Sequence, residues 1–580
     1  MKKRPNYQNW EATDFRDLLD GIVSRYALNT AFLWRDEDAD DGIAQKTYAE
    51  LGEDVRNLAT YLCSRGLEGK TVAVVGKNSY LWEVGYLAVV CGCGTVLPLD
   101  KDLRGDELLS LMLDAECAAV LYTEDMEIKI HSMEASGVIR IPLASADKMF
   151  SCGAELRSAG DTSYEDHTVD PFAMGILLYT SGTAGIAKGV MLSQNNICSN
   201  IVSVCKRFKV YEEDRVLSHL PLHHTYECTA NMAVLYSGAS IAFNEGMRHM
   251  PGDMILFRPT ILVTVPAVLE FMSRFVRKGY AEAKGGKVLL GVQKTASAMM
   301  DNTIRHFSEK ASNINKRKIF STVNHFFGGN LRAILVGAAG LSPQIFRMFE
   351  GFGYAVYCGY GLTETSPISL MHDDRYRRAD DTGLPIPGVE IRIDDPDENG
   401  VGEICIKGPN VMLGYYKNPE ATEEVLKDGW LYTGDLGAVT KSGGYRITGR
   451  EKSMIVASNG KKVFPEELEA YFMQHQIVAE CLVFAEESEG HQRLCVSVYP
   501  NFQEAELVLG VRSTDEDFSS ALKKELLRIV REVNFAFPPY KHIRKLVIRR
   551  KEFSKTTTKK IRRGFPENIE ENAEQSETQT

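Results

Sequence analysis

Thr180, Ser181, Thr183 and Lys188 fall within nine consecutive positions, interleaved with Gly182, Gly185 and Gly189, in the stretch ILLYTSGTAGIAKGVMLSQNN (176–196). Glycine lets the backbone turn its N–H groups toward an anion, hydroxyls add donors, and lysine supplies a mobile positive charge. Together they suit a polyphosphate. The stretch is not a Walker A sequence, because Ala187 stands where G-K-[ST] requires glycine and Gly189 replaces the following hydroxyl. Alone, a Ser/Thr/Gly loop after a strand is equally an ordinary surface turn. Lys188 and the density of hydroxyls favour phosphate.

A second group, GYGLTETSP (359–367), sets Tyr360 between glycines and follows it with Thr363, Glu364 and Thr365. A carboxylate between hydroxyls suits a hard divalent cation on phosphate oxygens, since such a cation keeps waters and takes few protein carboxylates. An isolated TET is also a common turn, GAAG (337–340) is also a strand ending tightly, and neither Asp435 in a D-L-G turn nor Arg450 in TGRE is distinctive by itself. Residues 541–563 hold eleven Lys or Arg and one Glu. That run reads as a solvated face, with a nucleic-acid or membrane patch as the weaker alternative. His223 and His224 are adjacent and cannot share one helical face, which argues against a two-histidine metal site. Neither H-E-x-x-H nor G-x-S-x-G occurs, so zinc-protease and serine-hydrolase chemistry lack their motifs.

These residues are spread over 580 positions, long enough for at least two domains and an ample core. Apolar residues make up 44% and charged residues 25%, an ordinary globular balance. With 67 basic against 78 acidic residues the formal charge is −11, so no overall field draws the chain to nucleic acid or anionic lipid. Twelve cysteines, with only Cys91 and Cys93 close together and no C-x-x-C pair, read as reduced core residues. MKKRPNYQNW has no apolar stretch behind it and is not a secretory signal. The most apolar window, roughly 85–99, is too short for a bilayer core of roughly 30 Å. A cytosolic enzyme is the expectation.

From Thr71, short β-branched runs (TVAVV, AAVLYTE and later RAILVG) alternate with helical stretches such as SYLWEVGYLAVV. This pattern predicts buried parallel strands in a layered α/β domain. The reading is an α/β chain: a large multi-sheet N-terminal domain over 1–450 with a small β-rich subdomain after about 383, and a helical insertion at about 274–331. A small mobile α+β domain over 451–563 follows, and 564–580, with five glutamates and no lysine or arginine, reads as a disordered acidic tail. No internal repeats occur.

TSGTAGIAKGV resembles the signature of the adenylate-forming (AMP-binding) superfamily, which includes acyl-CoA synthetases, firefly luciferase and peptide-synthetase adenylation domains. Further matches follow in the family's order: LPLHHTYE (220–227), GAAGLS (337–342), GYGLTETSP, WLYTGDLG (430–437), GYRITGREKSMIVASNGKKVFPEELE (444–469) and KTTTKKIRR (555–563). The resemblance covers about 10–563 and is nearest to long-chain fatty acyl-CoA synthetases.

The resemblance implies ATP, Mg2+ and CoA as cofactors and assigns roles by position. Thr180, Ser181, Gly182, Thr183, Gly185 and Lys188 would cradle the triphosphate. Glu364 would hold magnesium, with Thr363 and Thr365 near the α-phosphate or the acid. Gly337, Ala338 and Ala339 would floor the purine, with Tyr360 and its neighbour Gly361 beside it, while Asp435 and Arg450 would take ribose and phosphate. Lys452 would be the hinge between two half-reactions, Gly460 would line the pantetheine arm, His224 would line the acid pocket, and Lys560 would reach the acid and α-phosphate during adenylation. Relatives that take acetate carry tryptophan at the place of Gly361. Its absence implies room for a long tail, each buried methylene contributing about 0.8 kcal/mol.

The chain departs from the pattern at Ala184 and Ala187, in place of Thr and Pro, and at Ser554 and Lys559, where proline and glycine are usual. One hydroxyl and one stiffening ring are lost from the phosphate loop, but no charged catalytic group. The implied activity is ligation of a fatty acid to CoA through acyl-AMP. A stand-alone acyl- or aminoacyl-adenylating enzyme that loads a carrier protein is the alternative, and a non-catalytic nucleotide-binding or membrane-surface protein that kept the fold is a third reading. Fatty acid and CoA are the expected partners, with an acyl carrier protein as alternative acceptor and no nucleic acid. The expected location is cytoplasmic, with peripheral contact at the inner face of a membrane to collect lipid.

Overall fold

The computed structural model describes residues 10–133, 137–180, 187–283, 313–456, 461–488, 491–555, 561–563, 568–569 and 574–577. Among them, two large sheets carry the N-terminal bulk. One runs Gly414–Tyr415, Lys188–Ser193, Met174–Thr180, Gly94–Leu99, Lys70–Val75, Ala119–Tyr122, Ile139–Pro142. The other runs Leu384–Pro385, Leu370–Met371, Ala355–Tyr360, Ala333–Val336, Ile261–Thr264, Arg215–Ser218, Ser240–Phe243, Thr30–Arg35, Ile43–Thr47. The central strands pair in parallel, Val72 opposite Val96 and Ala119, and Leu335 opposite Val263 and Tyr357.

Side chains on successive strand residues point to opposite faces, so one strand feeds two cores. Val72 and Val74 join Val96, Leu121 and Ile176 in a core shared with Phe32, Val216, Ile241 and Val263 of the other sheet. Their neighbours Ala73 and Val75 pack instead with Leu108 and Met112 of the helix Gly105–Asp114. Leu33, Leu217 and Leu262 pack outward against Phe257, Leu269 and Phe349. The shared core therefore lies between the sheets, with helices on both outer faces. Both-face burial is why the strands read as unbroken apolar runs. The helix Tyr80–Gly92 belongs to the shared core, and every residue except Leu81 is buried. A helix apolar all round can sit only there.

The helical region expected from about 274 already begins with Pro266–Ala283, whose Leu269, Met272 and Val276 enter the outer core, and resumes in Asn313–Ile319 and Ser321–Phe326. The β-rich part is an antiparallel sheet of Glu390–Asp394, Gly402–Lys407, Trp430–Val439, Leu426–Lys427 and Tyr445–Arg450. Past it, Val478–Ser488, His491–Pro500 and Lys545–Ile548 form a sheet under the helices Pro465–Phe472 and Phe518–Ala536, with a core of its own around Leu468, Phe472, Val496, Leu526 and Leu546.

Of the acidic end, expected to be a disordered tail, residues 568–569 and 574–577 are described. Glu574–Glu577 pairs antiparallel with Lys545–Ile548, Glu577 opposite Lys545 and Glu574 opposite Ile548. Asn568 is fully buried and donates to the carbonyls of Ser554 (3.0 Å) and Arg562 (2.8 Å). An open sheet edge satisfies its backbone groups with any extended segment. The twelve cysteines are free and nine are buried, with Cys63, Cys152 and Cys205 partly exposed. Among the described residues no helix is long and apolar enough to cross a membrane.

Candidate active site

The apolar strand Met174–Thr180 pairs antiparallel with Lys188–Ser193, which puts Thr180 directly opposite Lys188. The Thr180 hydroxyl lies 3.4 Å from the Lys188 carbonyl. Ser181, Gly182, Thr183 and Gly185 lie between them, outside the described residues. On the other side of Lys188–Ser193 runs the two-residue strand Gly414–Tyr415, with Tyr415 opposite Val190. The Lys188 ammonium sits 4.7 Å from the centre of the Tyr415 ring, a cation–π distance, and the Tyr415 hydroxyl donates to Glu364 Oε1 at 3.0 Å. One tyrosine thus joins the lysine of the hairpin to the carboxylate of the TET turn.

That turn follows the strand Ala355–Tyr360. Glu364 and Thr363 are half-buried, and the Glu364 carbonyl accepts from Met412 N–H at 2.9 Å. Asn200 and Asn410 pin the stretch by donating to the carbonyls of Thr365 and Ile368. Two expectations change here. Thr365 is fully buried, its hydroxyl accepting from Leu362 N–H (2.9 Å) within reach of the Pro367 carbonyl (2.9 Å), so it fastens the turn and faces neither phosphate nor acid. At Gly361 a Cβ would lie 1.7 Å from the Pro367 carbonyl oxygen. Glycine is demanded there by the loop's own backbone, so its small size does not by itself open an acid channel.

Gly337 is likewise required, since a Cβ would meet the Tyr226 ring at 2.8 Å. Ala338 takes a left-handed φ of 68°, and it and Ala339 are exposed, leaving a small flat surface. Tyr360, Asp435 and Arg450 converge. Asp435 and Arg450 are cross-strand partners, with Arg450 Nε 2.8 Å from Asp435 Oδ1, while the Tyr360 hydroxyl donates to Oδ2 at 2.8 Å. Asp435 is only 4% exposed. Each carboxylate oxygen can accept a second hydrogen bond, so the pair leaves capacity for two hydroxyls of a sugar. Burial and the nearby Asp435 charge hold the Tyr360 phenol well above its ordinary range, so it stays a donor.

Lys452 is exposed in the short turn Glu451–Ser453 directly after Tyr445–Arg450. Gly460 and Lys560 lie outside the described residues. His224 immediately precedes the helix Thr225–Tyr236, its ring 4.1 Å from that of His223. Both line a narrow cavity of about 10 Å³ with Tyr86, Pro98, Ile176 and Cys228. Since sites for drug-sized ligands run from about 300 Å³ upward, a long tail needs this cavity to widen. Burial pushes the His223 imidazole down to about 4, so it is neutral.

Sequence reasoning missed Tyr415, the clamping amides of Asn200 and Asn410, and a buried acid pair behind the histidines. Glu227 accepts from His219 N–H at 3.0 Å, and Glu83 accepts from the Asn231 amide at 2.8 Å. Burial pushes Glu227 up to about 8 and Glu83 up to about 7. The signal for Asn200 was available, as a polar residue on the buried side of the helix Gln194–Arg207. Nothing local marked Tyr415.

Four cations of the basic run are paired internally. Lys541 pairs with Glu467, Lys545 with Glu486 (2.9 Å), Lys555 with Glu480, and Arg563 with Glu469 and Glu466. Paired charges make a poor patch for nucleic acid. Among the described residues no cluster of three or more His, Cys, Asp or Glu is arranged to hold a metal. The donor set around Glu364, a single carboxylate beside a phosphate-type hairpin, fits magnesium shared with phosphate oxygens and water and does not suit an all-protein cage.

The chain matches the model of the AMP-binding enzymes over residues 23–416 and that of the AMP-binding enzyme C-terminal domain over 452–571. It is 28% identical over 550 residues to a long-chain-fatty-acid–CoA ligase of Mycobacterium bovis, covering 89% of each chain. It is 25% identical over 567 residues to a chloroplastic long-chain-fatty-acid–[acyl-carrier-protein] ligase of Arabidopsis thaliana, covering 85% of this chain and 77% of that one. The solved o-succinylbenzoate CoA synthetase of Bacillus subtilis, in complex with its acyl-adenylate OSB-AMP, superposes with a TM-score of 0.71 at 19% identity over 96% of this chain and 98% of that one, a likeness of fold.

Proposed function

The chain belongs to the family of AMP-binding enzymes, and from that premise we propose that it ligates a long-chain fatty acid to CoA in two half-reactions. In the first, a carboxylate oxygen attacks the α-phosphorus of ATP, the bond to the β-phosphate oxygen breaks, and acyl-AMP and pyrophosphate form. In the second, a CoA thiol adds to the acyl carbon, AMP leaves with the bridging oxygen, and the thiol proton goes to solvent. Thr180 and Lys188, with Ser181, Gly182, Thr183 and Gly185, bind the triphosphate. Glu364 holds magnesium, which when bound neutralises phosphate charge. Ala338 and Ala339 support the purine with Tyr360 alongside, Asp435 accepts the ribose hydroxyls, and Arg450 bridges ribose and phosphate. Lys560 brings a cation to the two anions that must meet, where preorganised positive charge acts most strongly. Lys452 is the hinge, Gly460 lines the thiol's path, and His224 lines the acid pocket.

The observation that carries this reading is the meeting of Tyr360 and Arg450 on the Asp435 carboxylate, with Tyr360 four residues of chain from Glu364, which Tyr415 ties to Lys188. This supports reading the sites for adenosine and triphosphate as one continuous surface. The long-chain preference rests on the likeness to fatty-acid ligases. The test is pyrophosphate release across acids from acetate to palmitate, with CoA or with purified acyl carrier protein. The expected result is release that rises with chain length and thioester only with CoA. Thioester only on the carrier protein would select the alternative acceptor, and release with no acid preference would refute the substrate. The proposal includes collection of the acid at a membrane surface, checked by co-sedimentation with anionic vesicles.

A further inference from the structure

Tyr415 stands where two opposite charges would otherwise meet. Its hydroxyl donates to Glu364 Oε1 at 3.0 Å, and the Lys188 ammonium lies 4.7 Å from its ring centre. The ring is 8% exposed and is held from both ends. Tyr415 pairs with Val190 in the sheet, and its N–H donates to Thr422 Oγ1 at 2.8 Å. Lys188 is fixed separately by its ladder pairing with Thr180, and Glu364 by the Met412 N–H on its carbonyl. The three side chains thus come from three segments, and the one that carries Tyr415 is bonded to both of the others, through Val190 on the lysine strand and through the Met412 N–H on Glu364.

A lysine and a carboxylate in a half-buried site attract strongly, because water screens them poorly there. A direct ion pair would have to break before the lysine could reach phosphate or the carboxylate a cation. The tyrosine gives each charge its own weaker partner, a neutral hydroxyl for one and a π face for the other. We propose that Tyr415 is a positioning residue that keeps Lys188 and Glu364 apart and aimed at magnesium-bound ATP. This rests on the reading of Glu364 as the magnesium carboxylate and Lys188 as the triphosphate cation.

The test is ATP binding by isothermal titration calorimetry without fatty acid, in Mg2+ and in EDTA, for the wild type, Tyr415→Phe, Tyr415→Leu and Glu364→Gln. Tyr415→Phe keeps the packed ring and loses only the hydrogen bond to a charged group, so binding in Mg2+ should weaken about 10-fold and binding in EDTA should not change. Tyr415→Leu frees Lys188 to fall onto Glu364 and should weaken binding in both. A merely structural tyrosine predicts equal losses for Tyr415→Phe with and without Mg2+. Equal losses, or no loss in either condition, would overturn the proposal. Glu364→Gln separates the two layers of the argument. If it weakens binding in Mg2+ while Tyr415→Phe does not, the inference about Tyr415 alone fails. If it has no effect in Mg2+, the reading of Glu364 fails and takes the inference with it.

Discussion

Replacing Glu227 with glutamine should make stability less sensitive to pH between 4.5 and 8. Glu227 is 1% exposed and Glu83 is fully buried, and the groups facing them are Ser218, His219, Asn231, Cys228 and Tyr86. Burial pushes Glu227 from 4.5 up to about 8, with hydrogen bonds from Ser218, His219 and Leu220 opposing and the Glu83 carboxyl adding to the rise. The folded protein therefore keeps this proton over a range in which the unfolded chain has released it. Where the unfolded state binds fewer protons, stability falls as pH rises. The contribution is fully present below pH 4.5, declines by about 1.4 kcal/mol per pH unit, and is spent above about 8, a total on the order of 5 kcal/mol. Glutamine is neutral throughout and keeps an acceptor for the His219 N–H. Urea unfolding of wild type and Glu227→Gln, followed by tryptophan fluorescence at pH 5, 6, 7 and 8, should show the variant gaining on the wild type at each step. Glu83→Gln should gain over the shorter range to about 7. A difference that stays flat from pH 5 to 8 would mean that Glu227 ionises normally in the folded protein, and the burial argument would be refuted.

Three further outcomes are expected. Asp435→Asn should raise the KM for ATP about 10-fold and reduce the preference for ATP over 3′-deoxy-ATP, because the charge is lost and one of the two carboxylate oxygens becomes a donor; a preference that is unchanged in steady-state kinetics would contradict its role. Arg563→Ala removes the guanidinium that joins Glu469 to Glu466 and should lower the stability of the C-terminal unit by about 1–3 kcal/mol, read by scanning calorimetry of the isolated transition; an unchanged transition would show the pair to be ornamental. Lys560→Ala should abolish acid-dependent ATP–pyrophosphate exchange yet spare thioester formation from supplied acyl-AMP; equal loss of both would count against a hinge that serves two half-reactions.

The strands and their parallel sense were legible because burial on both faces writes itself as unbroken runs such as TVAVV and RAILVG. Residue types at the site were legible too, and Tyr360, Asp435 and Arg450 do converge. Orientation was not. Thr365 has the right chemistry for phosphate, but the tight path from Leu362 to Pro367 turns its hydroxyl inward, and the same path makes Gly361 obligatory. Tyr415 joins Lys188 to Glu364 across long loops, and no local pattern encodes a contact that depends on how three segments pack. The basic run looked like a surface because its partners, Glu466, Glu467, Glu469, Glu480 and Glu486, lie on elements far upstream. The acidic end looked free for a similar reason, since a strand such as Glu574–Glu577 that takes its order from a sheet edge needs no alternation of its own.

The most direct measurement of the central claim follows an oxygen atom. With palmitate labelled with oxygen-18 in its carboxylate, plus ATP, Mg2+ and CoA, attack on the α-phosphorus leaves one carboxylate oxygen on the nucleotide when the thiol displaces it. Mass spectrometry of the products should find a single heavy oxygen in AMP, none in pyrophosphate, and palmitoyl-CoA in equal amount. Heavy oxygen in inorganic phosphate with ADP as product, or unlabelled AMP, would contradict activation through an acyl-adenylate.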